Sequence, residues 1–214
     1  MKKKWNSLRQ GRNRHSFNRA KYYKQAFRNI PWTKDYEVVV WIDGTIEIQN
    51  EDTAYWLLEM FARGEGTKII TWEHTKRGGL LKNEVADSNF VSYNAAHWNG
   101  QDQPIQDVAK QYDYYLSEGY DEGYFKRLHP SRPNVGVWVT CFVAVDNRSE
   151  EVAEFLDLWY LQTLEHTTQD QVSFSYAVQK SGIAKSVLTL PSPDNGSSGT
   201  VEVNNFFVKH NHNK

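Results

Sequence analysis

The chain of 214 residues has the length of one domain, and its 25 basic and 26 acidic side chains leave a net charge of −1. A single cysteine, Cys141, excludes an intrachain disulfide and a cysteine-based zinc site, and the apolar run around it predicts a buried thiol. No apolar run approaches the ~18 residues of a membrane span and no signal-peptide pattern follows Met1, so we expect a soluble cytoplasmic protein.

The charge is distributed unevenly along the chain. Residues 1–34 contain eleven Lys or Arg and no acidic residue, whereas the remainder contains 14 basic and 26 acidic residues. Such a basic segment predicts either a phosphate or polyanion partner, or packing of the segment against the carboxylates of the body. Because residues 1–17 have little apolar periodicity, we expect an irregular basic arm there, ahead of a single domain at 18–214.

The first predicted elements surround an apolar run that ends in an aspartate. A short helix is expected at 19–27, with Asn18 as its N-cap. The β-branched and aromatic run 38–42 predicts a strand buried on both faces, in the middle of a sheet. Asp43 and Gly44 follow it, at the position where open α/β sheets bind ligands. An ordinary turn is the alternative interpretation of this pair.

Further along the chain, apolar spacings typical of strands and of helices alternate. Strands are expected at 46–48, 67–72, 136–145, 184–190 and 201–208, and helices at 50–64, 80–87, 105–116, 148–165 and 168–182. Thr168, with Gln171 three residues later, resembles a capping box at the start of the last helix. Because strands alternate with helices, the predicted fold class is α/β, with a mostly parallel or mixed central sheet flanked by helices.

Two kinds of side chain are candidates for a metal site. Asp43 offers a hard oxygen donor of the kind that Mg²⁺ and Mn²⁺ prefer. His210 and His212 would add imidazoles on one side of the last strand if that strand continues, and imidazole favours Mn²⁺ over Mg²⁺. A frayed chain end is the alternative interpretation of this His-x-His pattern.

Other polar and aromatic residues are candidates for substrate contacts. Asp170 lies in the first turn of a predicted helix, where capping alone would account for it, and as a general base it would need an acceptor hydroxyl within reach. His74 and Arg77 follow the strand at 67–72 and could bind an acidic or hydroxylated substrate, or belong to a solvated loop. Trp138 could stack on a sugar face or lie in the core.

Several widespread catalytic motifs are absent from the sequence. It contains no Walker A run, no Gly-x-Gly-x-x-Gly after a strand, no His-Glu-x-x-His and no Gly-x-Ser-x-Gly. These absences exclude the usual P-loop, dinucleotide-binding, zincin and α/β-hydrolase classes. The aromatic residues are not interleaved with basic residues as in RNA-recognition modules, so the basic arm is the indication of nucleic-acid binding that the sequence offers.

Four sequence blocks, in a fixed order, carry a family resemblance. They are Trp41-Ile42-Asp43-Gly44-Thr45-Ile46, Glu73-His74-Thr75-Lys76-Arg77, Val135-Gly136-Val137-Trp138 and Asp170-Gln171-Val172-Ser173-Phe174-Ser175-Tyr176. From about residue 19 to residue 182 the chain resembles the glycosyltransferase-like family of plants, bacteria and viruses that includes plant mucilage-related proteins and virus-encoded GT-A domains. The resemblance implies a GT-A fold that transfers a sugar from a nucleotide-sugar donor to an acceptor hydroxyl with the help of Mn²⁺ or Mg²⁺, in the host cytoplasm if the chain is viral.

The resemblance also implies roles for individual residues. Asp43 would be the retained aspartate of an Asp-x-Asp metal motif that here reads Trp41-Ile42-Asp43, without its first aspartate. Asp170 and Gln171 would face the reacting sugar, with Asp170 as the base of an inverting reaction. The remaining implied contacts are His74 and Arg77 near the donor or acceptor, Arg19 and Lys21 near the diphosphate, and His210 or His212 at the metal.

The chain departs from the GT-A pattern at its N-terminal end. Only 42 residues precede Asp43 and no buried strand is predicted among them, whereas GT-A domains usually place a first strand and a nucleotide-binding loop there. The basic arm or a partner chain would then complete the nucleotide site. The sequence therefore leaves two alternative functions: a metal-assisted glycosyltransferase, and a non-catalytic module of the same origin that binds glycans through an aromatic cleft or nucleic acid through the arm.

Overall fold

The computed structural model describes residues 16–88, 90–100, 105–193 and 201–210. The strands are β1 (Val38–Ile42), β2 (Ile46–Ile48), β3 (Ile69–Glu73), β4 (Trp138–Asp146), β5 (Val187–Leu190) and β6 (Phe207–Lys209). The helices are α1 (Ser16–Gln25), α2 (Thr53–Arg63), α3 (Leu81–Asp87), α4 (Phe90–Tyr93), α5 (Ala95–Trp98), α6 (Val108–Ser117), α7 (Tyr124–Leu128), α8 (Glu150–Glu165), α9 (Asp170–Ser181) and α10 (Val201–Asn204). Short 3₁₀ turns lie at Phe27–Asn29, Pro31–Asp35 and Ile183–Ser186.

Four strands form the main sheet, in the order β1-β4-β3-β5. β4 is antiparallel to both β1 and β3, and β5 is parallel to β3, so three strands point one way and β4 points the other. β2 and β6 form a separate antiparallel pair. A mixed sheet with helices agrees with the predicted α/β class.

The two faces of the sheet pack against different helices because side chains alternate along each strand. On β4, Val143 and Val145 belong to the larger core, which also contains the helical Phe155, Trp159 and Phe174. The helix predicted at 148–165 is confirmed as α8, and the apolar positions that predicted it are buried. Burying such side chains contributes roughly 1.5–3 kcal/mol each, which holds α8 and α9 on this face.

The opposite face carries a second core built around aromatic rings. Phe142 of β4 stacks on Trp72 of β3, with ring centroids 4.7 Å apart. Phe207 of β6 meets both rings edge-on or tilted, and Trp56 of α2 closes the cluster. This cluster attaches the small β2–β6 pair and helix α2 to the main sheet.

The structure corrects the predicted position of the first strand. The run at 38–42 does form β1, but β1 is an edge strand that pairs with β4, and Val40 is 39% exposed. The central positions belong to β3 and β4. Hydrophobicity predicted a strand buried on both faces, but the outer side of β1 instead lines an aromatic groove with a volume of about 370 Å³, shared with Tyr23, Trp32 and Tyr36.

Other local predictions also differ from the structure. The strand predicted at 184–190 forms only at Val187–Leu190, because the 3₁₀ turn Ile183–Ser186 precedes it. Asn18 lies within helix α1 and is therefore not its N-cap. Thr168 does not cap α9, because its backbone N–H and hydroxyl both donate to the side chain of Gln106. The segment predicted as a strand at 201–208 is divided between helix α10 and strand β6.

Cys141 is buried, as predicted. None of the described helices is both long enough and apolar enough to cross a membrane.

Candidate active site

A polar cleft opens at one edge of the main sheet. The carboxyl ends of β1 and β3 meet there with the amino end of the oppositely directed β4. The cleft has a volume of about 540 Å³. Its lining residues are Asp43, Thr45, Glu73, His74, Thr75, Lys76, Arg77, Val139, Thr140, Cys141, Gln169, Asp170, Gln171, Ser192 and Lys209. Ligand sites in open α/β sheets lie at such strand ends.

Asp43 is fixed at the tip of β1 by main-chain and side-chain bonds. Its backbone N–H donates to the carbonyl oxygen of Cys141 at 2.8 Å, which extends the pairing of β1 with β4 by one residue. The indole Nε1 of Trp41 donates to Asp43 Oδ1 at 2.6 Å. These two bonds fix the carboxylate of Asp43 at the wall of the cleft.

Two lysines of helix α1 meet the second aspartate. Lys21 Nζ lies 2.8 Å and Lys24 Nζ lies 2.7 Å from Asp170 Oδ2. Lys24 Nζ also lies 3.7 Å from Asp43 Oδ1, so one ammonium group stands between the two aspartates. The lysines are three residues apart and lie on one face of α1, which packs against α8.

Asp170 is ionised despite its burial. Burial, the largest single influence, by itself would raise the pKa of this carboxyl. The positive charges of Lys21 and Lys24 oppose it, and together with their close contacts they hold the pKa of Asp170 well below the ordinary value of 3.8. The main-chain oxygen of the same residue accepts a bond of 2.9 Å from the indole of Trp159, which fixes the start of α9.

A second charged network lies on the other side of the cleft, around Glu84 of helix α3. Arg77 Nε donates to Glu84 Oε2 at 2.5 Å, and Gln171 Nε2 donates to Glu84 Oε1 at 3.1 Å. Arg77 also pairs with Asp87. Glu84 is 3% exposed and so links the loop after β3 to the start of α9. The guanidinium of Arg77 is already neutralised by these two carboxylates.

His74 is the imidazole of the cleft. Its Nε2 lies 3.8 Å from Glu84 Oε2. Burial lowers the pKa of His74 below 6.5; the nearby Glu84 carboxylate opposes this shift, and the positive charges of Arg77 and Lys209 add to it. The imidazole is therefore neutral at pH 7 and can accept a proton.

Two glycines hold the loop after β3 against the start of β4. Gly79 and Gly136 have φ values of +66° and +134°, which L side chains rarely adopt. A Cβ atom on Gly136 would collide with the main-chain oxygen of Gly79, and a Cβ on Gly79 would collide with that of Val135. Together with the bond of 2.9 Å from His74 N to Val137 O, this close approach sets the position of His74.

Most of the predicted site residues meet at the cleft. Asp43, His74, Arg77, Asp170 and Gln171 line it. Lys21 and Trp41 contact two of them directly.

The other predicted site residues lie elsewhere. Trp138 is 1% exposed in the core and donates its Nε1–H to Thr189 Oγ1, so it offers no face to a sugar and its assignment as a substrate contact is corrected. His210 Nε2 lies 2.7 Å from Glu47 Oε2. Arg19 is exposed and is not among the residues that line the cleft. His212 lies outside the described residues.

Two residues that organise the site were not predicted, Lys24 and Glu84. Lys24 belongs to the basic segment, and its spacing of three from Lys21 places both on one helix face, which is the sequence signal that was available. Glu84 had no such signal, because its importance arises from the approach of α3 to Arg77 and Gln171.

The donor set at Asp43 does not fit a resident divalent cation. Among the residues that the structure describes, no three His, Cys, Asp or Glu side chains are grouped to hold a metal ion. Oδ1 of Asp43 accepts from Trp41 and faces the ammonium group of Lys24, while Oδ2 of Asp170 faces two ammonium groups. Mg²⁺ and Mn²⁺ need several oxygen or nitrogen donors that are free of such cations.

Comparison of the chain with protein-family models, with curated proteins and with solved structures found no match.

Proposed function

We propose that the protein transfers a sugar from a nucleotide-sugar donor to the hydroxyl group of an acceptor. The observation that supports this proposal is the convergence of side chains from distant segments in one cleft: Asp43, His74, Arg77, Asp170 and Gln171. These residues span more than 120 positions of the chain and come from the blocks that carry the family resemblance. The cleft volume of about 540 Å³ falls within the range of about 300–1,000 Å³ that is usual for small-molecule sites.

The charge of the cleft determines where a diphosphate would bind. The two positive charges of Lys21 and Lys24 are balanced by Asp170 and Asp43 together, and Arg77 is neutralised by Glu84 and Asp87. Lys76 lines the cleft, is exposed, and forms no ion pair with the described residues. An ammonium group without a carboxylate partner is a point charge that can bind phosphate oxygens. We therefore assign the diphosphate contact to Lys76.

The proton acceptor of the reaction is His74 in this proposal. A general base works best when its pKa is near the operating pH, and the strongly lowered pKa of Asp170 makes that carboxylate a weak base. His74 is neutral at pH 7 and lies 3.8 Å from the buried Glu84 carboxylate, which would stabilise the imidazolium formed when the acceptor hydroxyl loses its proton. Asp170 then positions the two lysines and Gln171, the next residue of α9.

The test is a panel of UDP- and GDP-sugars, measured first by thermal shift and then by release of the nucleoside diphosphate. We expect one donor to raise the melting temperature and to be hydrolysed or transferred, because specific binding stabilises the folded state by mass action. His74→Gln should lower kcat by about 10²–10⁴-fold, as loss of a general base does. Lys180→Gln, on an exposed site of α9, is the matched control. Absence of both binding and release across the panel contradicts the proposal.

A second candidate function, glycan binding without turnover, is favoured by the aromatic groove beside β1. The groove is lined by Tyr23, Trp32, Tyr36 and Trp41 among others, and Trp32 is 65% exposed. Exposed rings of this kind offer apolar faces together with polar edges, and both match the surface of a sugar. Affinity electrophoresis in gels containing polysaccharides tests this function. The nucleic-acid version of the alternative depends on residues 1–17 and stays a prediction, since the described part of the chain begins at Ser16.

A further inference from the structure

We propose that the ammonium group of Lys24 occupies the position between Asp43 and Asp170 where a divalent metal ion would otherwise bind, so that the nucleotide-sugar, with its diphosphate at Lys76, binds without such an ion. The inference rests on the proposed function, because it concerns how the same cleft holds its donor. It departs from the metal dependence that the family resemblance implies. Its basis is the arrangement of charges around Lys24.

Lys24 occupies the space between the two aspartates of the cleft. Its side chain is 2% exposed, and its Nζ lies 2.7 Å from Asp170 Oδ2 and 3.7 Å from Asp43 Oδ1. The same atom lies 5.7 Å and 5.8 Å from the ring centroids of Trp41 and Trp159, within the range of cation–π attraction. Two carboxylates and two aromatic rings thus surround one almost fully buried ammonium group.

The residue two positions before Asp43 supports the same conclusion independently. Trp41 stands where an Asp-x-Asp motif would have its first aspartate, and its indole N–H donates to Asp43 at 2.6 Å. A metal motif needs an oxygen acceptor at this position, whereas Trp41 offers a hydrogen-bond donor. Asp43 Oδ1 therefore accepts a hydrogen bond from Trp41 and faces the ammonium group of Lys24, which would repel a divalent ion approaching this oxygen.

The arrangement also explains how two carboxyl groups can lie near each other in this cleft. Without an intervening cation, two adjacent carboxylates repel, and one of them takes up a proton or binds a metal ion. Lys24 removes this repulsion, and Lys21 adds a second positive charge at Asp170. Removal of Lys24 should therefore turn the pair of aspartates into an acceptor for metal ions.

The experiment is a titration of Mn²⁺ into the full-length chain, followed by the electron paramagnetic resonance signal of free Mn²⁺. We expect no stoichiometric binding by the wild-type chain. Lys24→Met, which keeps the length of the side chain and removes its charge, should bind Mn²⁺ at least tenfold more tightly. The double variant Lys24→Met/Asp170→Asn should lose that gain, and Lys180→Met should behave as the wild type.

These outcomes are separable from failure of the proposed function, because Mn²⁺ titration requires neither a nucleotide nor turnover. Stoichiometric Mn²⁺ binding by the wild-type chain that is lost in Asp43→Asn would overturn the inference. If Lys24→Met fails to fold, the wild-type titration still decides it, together with a second measurement: binding of UDP and GDP should be unchanged by EDTA. Nucleotide binding that disappears with EDTA and returns with Mn²⁺ would equally overturn it.

Discussion

Replacement of Asp170 by asparagine tests the buried ion-pair cluster directly. The substitution keeps the size of the side chain and removes its charge, so among the described residues Lys24 would retain only Asp43, at 3.7 Å, as a carboxylate partner. Loss of one partner of a buried pair costs about 3–5 kcal/mol, because the other charge stays buried. With a urea slope of about 2 kcal/mol per molar, the unfolding midpoint should fall by about 2 M.

The matched control is Glu59→Gln on helix α2. Glu59 forms an exposed pair of 2.8 Å with Arg63, four residues further along the helix. Such pairs contribute about 0.3–0.5 kcal/mol, so the control should shift the urea midpoint by a small fraction of the shift in Asp170→Asn. Equal shifts in the two variants would refute the argument that Asp170 neutralises a buried charge.

The pH dependence of the unfolding free energy, compared between the wild type and Asp170→Asn, provides a further check. The folded-state pKa of Asp170 lies below its ordinary value of 3.8, so its stabilising contribution is complete above about pH 4 and is lost as the pH falls toward the folded-state pKa. The difference in unfolding free energy between wild type and Asp170→Asn should therefore stay constant from pH 5 to pH 8 and shrink below about pH 4. If the difference in unfolding free energy instead shrinks as the pH rises, a lowered folded-state pKa of Asp170 is contradicted.

Three other predictions concern the rest of the site. Gly136→Ala should lower the free energy of unfolding, measured in urea, by about 2–4 kcal/mol, because the cost of the strained φ adds to the cost of the steric overlap. Gly44→Ala is the control and should cost far less, because the space around its Cβ is open. If His74 is the base, turnover should fall on acidification with an apparent pKa below 6.5, and an acid limb at or above that value would count against it. Trp32→Ala should weaken retention in polysaccharide gels while nucleotide-sugar hydrolysis stays unchanged; Trp98→Ala, also exposed, should leave both unaffected.

The sequence predicted the elements better than their arrangement. Helix α8 follows from periodic apolar spacing, and strand β3 follows from a short, continuous run of mostly apolar residues, because burial of one helix face or of a whole strand leaves a pattern in the sequence. The lateral order of strands leaves no such pattern. An edge strand flanked by aromatic rings has the same β-branched composition as a central one, and this is why β1 was assigned to the middle of the sheet.

The site was predictable to the extent that it depends on strand and helix ends. Asp43, His74 and Asp170 each follow or begin an element, and such positions converge at one edge of an α/β sheet. Glu84 lies inside a short helix and acquires its role from contacts with Arg77 and Gln171, which depend on tertiary packing. The family resemblance did not indicate a role for Glu84 either, because Glu84 lies outside the four sequence blocks that carry the resemblance.

The basic segment acquires a specific role from the structure. Two explanations of its charge were open, a polyanionic partner and packing against the carboxylates of the body. For helix α1 and the turn after it the second holds, since Lys21 and Lys24 pair with Asp170, and Arg28 lies 3.5 Å from Glu150 of α8. A fixed ammonium group differs from a bound metal ion in that its position is set by the packing of α1 on α8 and does not depend on the ion concentration. Changes in that helix interface should therefore alter the charge of the cleft as strongly as changes in the cleft itself.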